Sequence, residues 1–363
     1  MKIIFACGGT GGHIYPAVAV AEKLKKNNKK TEVLFIGNEN GMEKRIIKDR
    51  GYVFKGIAAY PFVRKISFRN IINFSGNIKA FIRARSYIKD FDPDFVAGTG
   101  GFVSFPVVLA AQFMGKKTLI HEPNMHPGLA NRVLGKRASV ITTGFEETKK
   151  WFPAGKTFAA GNPVRKGIGT GNRKKSCGKF GLSLSKKTVL IMPGSRAAVN
   201  INKTVLASMP LLEKIKDIQL LWMCGKAEYE SLKKALGKNK RVKVKLKDFI
   251  MNAEEAYSCA DAGVMRAGAA TLSEIAAVQL PSILVPYPYA AGNHQEKNAD
   301  VFRAANAAVV VKDSEFEPEV FVKALKKILN SRTGSEIKKN IRAVYKAGGA
   351  ENIARIITER IND

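Results

Sequence analysis

Between Val264 and Asn298 the chain reads V-M-R-A-G-A-A-T-L-S-E-I-A-A-V-Q-L-P-S-I-L-V-P-Y-P-Y-A-A-G-N-H-Q-E-K-N, and its residue types suit the handling of a phosphate ester. Arg266 to Thr271 are small or polar residues at the entrance to a helix, and Leu272, Ile275, Ala276 and Leu280 repeat at helical spacing behind them. The first turn of a helix carries unpaired N–H groups and the positive end of the dipole, so it attracts anions. Gly268, Ala269 and Ala270 let an anion approach the backbone, Thr271 adds a hydroxyl and Arg266 a charge. Glu274, a turn further in, suits the two hydroxyls of a ribose. Gln295 and Asn298, in the polar segment after a short strand (Ser282 to Val285), offer amides to sugar hydroxyls. Together these describe a site for a nucleoside diphosphate along a helix; the plainer reading is an Ala-rich strand–helix unit with a solvated Glu274.

A second set of residues lies near the amino terminus. Lys2 to Cys7 reads as a strand that runs into Gly8-Gly9-Thr10-Gly11-Gly12-His13 and then a helix from about Tyr15 to Lys26. This opening is Rossmann-like, yet Ile14 stands where the last glycine of G-x-G-x-x-G is required, which disfavours NAD while leaving an anion at the helix start. His13, with an ordinary pKa of about 6.5, suits a general base at neutral pH and equally a helix-entry residue that binds phosphate. A further glycine loop, Gly98-Thr99-Gly100-Gly101, follows the strand Phe95 to Gly98. Two such loops after two strands of one parallel sheet face the same crevice.

The elements that hold these residues form a pattern. Val33 to Gly37 and Thr118 to His121 read as further strands, the latter leading to His121-Glu122-Pro123-Asn124, and Asn162-Pro163-Val164-Arg165 closes the first half. Lys166 to Lys187, rich in Gly, Ser and Lys, reads as a linker. The opening pattern then recurs: a strand from Thr188 to Met192, followed by Pro193-Gly194-Ser195-Arg196-Ala197-Ala198. Ile218 to Cys224 and Val242 to Leu246 read as strands, and Ser335 to Ile361 as one or two helices. The expected architecture is α/β, with two Rossmann-like domains facing a cleft. Their expected extents are 1–163 for the domain with the two glycine loops, 164–340 for the domain with the nucleoside-diphosphate site, and 341–363 for a terminal helix packing back on the first domain.

Composition sets the class. The chain has 363 residues, 45% of them hydrophobic, enough for two domains with real cores. No secretory signal is expected, since Gly8 and Gly9 interrupt the first apolar run, and Gly98, Gly100, Gly101 and Pro106 break the uncharged stretch from Phe95 to Gly115. Cys7, Cys177, Cys224 and Cys259 show no paired spacing, which fits a reducing compartment. The net charge of +31 points to an anionic partner or to a lysine-rich composition. From Arg50 to Lys89 no acidic residue occurs. Within that stretch Ile71, Phe74, Ile78, Phe81 and Ile82 recur at helical spacing, read first as a core stripe with Lys79 and Arg83 on a solvated face. The sharper reading is an interfacial patch, with Phe62, Ile66 and Phe68 among Arg64, Lys65 and Arg69 as its lipid-facing part. No nucleic-acid motif occurs. Asp90, Asp92 and Asp94 form D-x-D, but before a strand rather than after one, so a turn is expected there and no metal site.

The motifs G-G-T-G-G-H-I-Y-P, G-T-G-G-F-V-S, H-E-P-N, G-N-P-V-R, P-G-S-R-A-A, R-A-G-A-A-T-L-S-E-I and N-H-Q-E-K-N-A follow one another over about residues 1–300. In this order the chain resembles the bacterial cell-wall N-acetylglucosaminyltransferases that make lipid II from lipid I. The resemblance implies the B-type glycosyltransferase fold, UDP-N-acetylglucosamine as donor, and a polyprenyl-pyrophosphate muramyl-pentapeptide as acceptor. It implies a peripheral place on the cytoplasmic face of the cell membrane, an anionic surface as partner, and no nucleic acid, metal or cofactor. On this resemblance Ile250 and Arg165 hold uracil and Glu274 the ribose. Ser195, Ala269, Ala270 and Thr271 hold the UDP phosphates with help from Arg266. Asn124, His294, Gln295 and Asn298 surround the transferred sugar, Thr10, Gly11 and Gly12 adjoin the donor, and His13 is the base. Gly9, Gly11, Gly12, Gly98, Gly100 and Gly101 cradle the acceptor pyrophosphate. The chain departs from the usual motifs at Pro193, Arg196 and Ala197, at Pro123 where Gln is usual, and at Gln279 where Gly commonly ends the helix.

Overall fold

A computed structural model describes residues 1–61, 68–194, 199–237 and 241–362, with backbone only at 68–72 and 362. The chain divides into two compact units, Met1–Arg165 with Lys346–Asp363, and Lys166–Tyr345.

The first unit holds a seven-stranded sheet. Its strands are β1 (Lys2–Ala6), β2 (Glu32–Asn38), β3 (Val53–Ile57), β4 (Phe95–Gly98), β5 (Lys117–Glu122), β6 (Val140–Thr143) and β7 (Thr157–Ala159). The order is β3-β2-β1-β4-β5-β6-β7, parallel throughout. Alternate residues face opposite sides of a strand, so β1 and β2 feed two cores. Ile3, Phe5, Val33 and Phe35 join Ile14, Ala17, Val20, Ala21 and Leu24 of the helix Gly11–Asn27 on one face. Ile353, Ala354 and Ile357 of the last helix, Gly349–Asn362, complete that cluster. Ile4, Ala6, Leu34 and Ile36 face the other way, towards Ala80, Ala84 and Ile88 of the helix Phe68–Phe91 and Val107, Val108 and Ala111 of the helix Ser104–Phe113. A sheet covered on both faces requires near-continuous apolar strands, which is what F-V-A-G and V-L-F-I-G supply.

The second unit repeats the plan with β8 (Lys187–Ile191), β9 (Ile218–Met223), β10 (Lys243–Lys247), β11 (Ala262–Met265), β12 (Ser282–Leu284) and β13 (Val309–Val310). Their order is β10-β9-β8-β11-β12-β13, again parallel. Trp222 is fully buried and its indole N–H reaches Asn202 Oδ1 at 2.9 Å.

Two expectations fail. The stretch read as a linker carries a helix, Arg173–Phe180, opened by Asn172 accepting the Lys175 N–H and closed by Gly181 in the left-handed region. Arg173 anchors it through Asp261 at 2.7 Å and the Cys259 carbonyl at 2.8 Å, contacts that composition does not reveal. Most of the apolar stripe of Phe68–Phe91 is not core: Phe74, Ile78 and Ile82 are 59%, 45% and 61% exposed, while Phe81 is half-buried against the core. The small residues Ala80 and Ala84, with Ile88, face the sheet instead, because close packing on Val107 and Val108 suits short side chains. Phe62, Arg64, Lys65 and Ile66 lie outside the described residues, as do the side chains of Phe68, Arg69 and Ile71.

Candidate active site

The sheet order of the first unit reverses between β1 and β4, and a parallel sheet binds ligands at the carboxyl ends of strands beside such a reversal. Both glycine loops leave from there. They touch backbone to backbone: a Cβ on Gly101 (φ +83°) would lie 2.2 Å from the Gly8 carbonyl oxygen. A Cβ on Gly100 (φ +104°) would lie 2.5 Å from His13 Nδ1, so glycine at 100 lets the second loop close over the imidazole. His13 Nδ1 sits 3.1 Å from the Thr99 carbonyl oxygen, and the Thr99 hydroxyl donates to the His13 carbonyl at 2.7 Å. A carbonyl only accepts, so Nδ1 carries the proton and Nε2 the lone pair.

Glu43, unread in the sequence, lies fully buried beneath the first loop. Its carboxylate accepts the N–H of Asn38 at 2.8 Å and that of Gly9 at 3.4 Å. A side chain at Gly8, Gly37 or Gly41 would collide with it. Because the Gly9 N–H is turned to Glu43, this loop's offer to an anion narrows to the helix start at Gly11 and Gly12. Thr10 caps that helix by its backbone, and its hydroxyl makes no cap bond.

Next along the sheet edge, Glu122 organises H-E-P-N. Its Oε1 accepts the N–H and Nδ2 of Asn124 at 3.0 and 3.1 Å, and its Oε2 accepts Gly128 N–H at 3.0 Å and Asn131 Nδ2 at 2.9 Å. Burial raises its pKa, opposed by those donors. His121 joins this motif to G-N-P-V-R: its Nε2 donates to Asn162 Oδ1 at 2.9 Å, while Asn162 Nδ2 donates to the Pro123 carbonyl at 3.0 Å. Burial pushes the His121 pKa down to about 4, so it is a neutral structural group. Arg165 lies over the Tyr15 ring, 5.0 Å from its centroid.

In the second unit the order reverses between β8 and β11. The turn after β8 includes Gly194 at φ +85°, while Ser195, Arg196 and Ala197 lie outside the described residues. After β11 comes the helix Ala269–Val278, with Gly268 as its cap. Ala269 is buried, and Ala270 and Thr271 are half-buried at its first turn. Glu274 is 6% exposed and accepts a hydrogen bond from the Tyr257 hydroxyl at 3.1 Å. Tyr257 belongs to the helix Ala253–Cys259, whose entrance follows the buried Ile250. Ile250 and Arg165, paired for uracil by resemblance, fall in different units.

Three residues take places that change their expected part. Arg266 is buried, paired with Asp313, donating to the Val285 and Pro286 carbonyls and lying over the Tyr287 ring. Its charge is bound into the fold rather than directed only at a phosphate. Asn298 is fully buried and donates to the Ala267 carbonyl at 3.3 Å, a position that holds the turn before the helix. Gln295 Oε1 accepts the N–H groups of Ala267 at 3.2 Å and Tyr287 at 3.0 Å, which leaves the amide NH2 as its group for a ligand among the described contacts. His294 is half-buried, with Nδ1 at 2.8 Å from the Ala291 carbonyl. Tyr257, Asp313 and Glu43 had no signal in the sequence, since each acts on a residue far along the chain.

The D-x-D stretch serves the fold: Asp94 Oδ2 accepts the Lys2 N–H at 2.7 Å and Asp92 pairs with Lys116. Among the described residues no cluster of three His, Cys, Asp or Glu side chains suited to a metal occurs, and no helix is long and apolar enough to cross a membrane.

Comparison with known proteins agrees with this layout. Residues 3–143 match the glycosyltransferase family 28 N-terminal domain and residues 188–355 the C-terminal domain. The UDP-N-acetylglucosamine--N-acetylmuramyl-(pentapeptide) pyrophosphoryl-undecaprenol N-acetylglucosamine transferase of Halothermothrix orenii is 40% identical over 96% of this chain and 95% of its own length. The protein of the same name from Bacillus subtilis is 38% identical over 99% of both. The crystal structure of MurG from Acinetobacter baumannii superimposes with a TM-score of 0.77 at 27% identity, covering 99% of each chain. Full-length similarity at this level, on a fold of two parallel-sheet units with their glycine turns at the reversal points, means that the chain belongs to glycosyltransferase family 28, in the family of these N-acetylglucosamine transferases.

Proposed function

We infer that the protein moves N-acetylglucosamine from UDP-N-acetylglucosamine to the 4-hydroxyl of the muramyl sugar of a polyprenyl-pyrophosphate-linked muramyl-pentapeptide, converting lipid I to lipid II for peptidoglycan. The observation that carries the chemistry is the His13–Thr99 pair, which sets the imidazole lone pair on Nε2 where two glycine loops meet. The acceptor oxygen attacks the anomeric carbon and gives its proton to His13 Nε2. The bond from that carbon to the UDP oxygen breaks, UDP leaves with the electron pair, and the configuration inverts. Such a base contributes roughly 10²- to 10⁴-fold. The helix start at Gly268–Thr271 offsets the charge that develops on the leaving diphosphate. Glu274, oriented by Tyr257, takes the ribose hydroxyls, and the amide NH2 of Gln295 meets the sugar. Asn124, held by Glu122 through its backbone N–H and its side-chain NH2, stands beside the transferred sugar.

The exposed Phe74, Ile78, Ile82 and Phe113, with Lys79, Arg83, Arg85 and Lys89 nearby on the same helix surface, form the membrane-docking side of the first unit. It holds the protein peripherally on the cytoplasmic face, where the lipid-linked acceptor resides. The test is transfer of labelled sugar from UDP-N-acetylglucosamine to a lipid I analogue. Product with inverted anomeric configuration is expected; hydrolysis of the donor without transfer contradicts the reading.

A further inference from the structure

Because β1, β4, β5 and β6 are parallel neighbours in that order, the loops leaving their carboxyl ends follow one another along one sheet edge. The first two are the glycine loops around His13, the third is H-E-P-N, and the fourth leads into the tight helical turn Glu146–Trp151. We propose that the last two, with the helix Leu129–Gly135, form a subsite for the peptide of the acceptor: Trp151, Leu129 and Val133 give an apolar platform, and Arg132 takes a peptide carboxylate. This subsite rests on the function proposed above and adds to it the part of the acceptor that the glycine loops do not reach.

Leu129, Val133 and Trp151 are 74%, 43% and 38% exposed, large apolar side chains left in water beside the site. Leu129 and Val133 are a helical turn apart and share a face. The Arg132 guanidinium lies 4.4 Å from the Trp151 ring centroid, and the His126 ring meets the same indole edge-on at 4.6 Å. A guanidinium stacked on an aromatic face keeps its N–H fork for a planar carboxylate. The platform is held before any ligand arrives. Glu122 fixes Asn124, Gly128 and Asn131, and the Thr148 hydroxyl, positioned to donate to the carbonyls of Asn124 at 3.1 Å and Met125 at 3.2 Å, ties the Trp151 turn to the H-E-P-N loop.

Length agrees. Three strand spacings of about 4.8 Å separate β1 from β6, roughly 14 Å in all. Five extended residues span about 17 Å. The muramyl lactyl group that bears the peptide is on the carbon next to the attacking hydroxyl, so a peptide leaving from beside His13 along this edge reaches Trp151 with its carboxyl end near Arg132.

The experiment compares two acceptors with the same lipid and sugar, one bearing the pentapeptide and one bearing none, in wild type, Trp151→Ala, Arg132→Gln and Leu129→Ser, the last a change at an exposed side chain that leaves the fold intact. Each variant is expected to raise KM for the pentapeptide acceptor roughly 5- to 20-fold, with KM for the donor and for the peptide-free acceptor unchanged within about twofold. Equal increases for both acceptors, or none for either, overturn the subsite. Loss of vesicle binding in Trp151→Ala, parallel to loss of activity, makes lipid the occupant and also overturns it. Transfer by wild type to neither acceptor overturns the function itself, and the subsite with it.

Discussion

His13 Nδ1 and the Thr99 carbonyl oxygen stand 3.1 Å apart, and the Thr99 hydroxyl returns a bond of 2.7 Å to the His13 carbonyl. This double tie joins the two glycine loops and selects one imidazole tautomer. His13→Ala should therefore lower kcat roughly 10²- to 10⁴-fold with little change in donor KM. Unchanged kcat removes His13 as the base.

Glu274 and Tyr257 should act as a pair. Tyr257→Phe removes one hydrogen bond to a buried carboxylate, so the donor KM should rise roughly 3- to 10-fold while acceptor KM holds. Glu274→Gln should raise the donor KM further, and the double variant should cost less than the product of the single effects. Multiplicative effects show that the two residues act independently.

The exposed stripe on Phe68–Phe91 predicts a membrane phenotype separable from catalysis. Ile78→Glu with Ile82→Glu should reduce binding to anionic vesicles by roughly tenfold or more, since each apolar side chain removed from water is worth about 1.5–3 kcal/mol. Raised salt should weaken the wild type as well, by screening the neighbouring Lys and Arg. Transfer to a short-chain, water-soluble acceptor should be unaffected. Vesicle binding that survives both substitutions places the docking surface elsewhere.

The buried His121 predicts acid sensitivity. Its folded pKa of about 4 lies below the unfolded value of 6.5. The unfolded chain therefore binds the extra proton first, and this contribution is full above pH 6.5 and lost as pH falls towards 4. The loss is on the order of 3 kcal/mol. Glu122, with its pKa raised by burial, works in the opposite direction, so the quantity to measure is the difference in unfolding free energy between wild type and His121→Gln across that range. A difference independent of pH contradicts the assignment.

The parts of this protein legible in its sequence are those built from neighbours along the chain. The strand, glycine loop and helix from Lys2 to Asn27 follow from local periodicity, as does the helix bearing Glu274, although the first helix begins at Gly11, before the apolar repeat becomes visible. Contacts between distant residues were not legible. Tyr257 reaches Glu274, Asp313 reaches Arg266 and Glu43 reaches Gly9 only through the fold. The Phe68–Phe91 stripe misled because a period marks an amphipathic helix without saying whether sheet or solvent lies against its large residues; Ala80 and Ala84 took the inner face. Gln279 explains one departure from the usual motif. It adopts φ 52°, the left-handed conformation that glycine provides at a helix end, and its side chain accepts a bond of 2.9 Å from Arg342.

Division of labour between the units is the claim on which the rest depends: the uridine diphosphate belongs to the second unit, with its ribose at Glu274. A crystal soaked with UDP-N-acetylglucosamine tests it directly. Density for the ribose within hydrogen-bonding distance of Glu274, and for the diphosphate at the helix start of Gly268–Thr271, is the predicted result. Uridine seated instead against Gly9–Gly12 of the first unit would contradict the account.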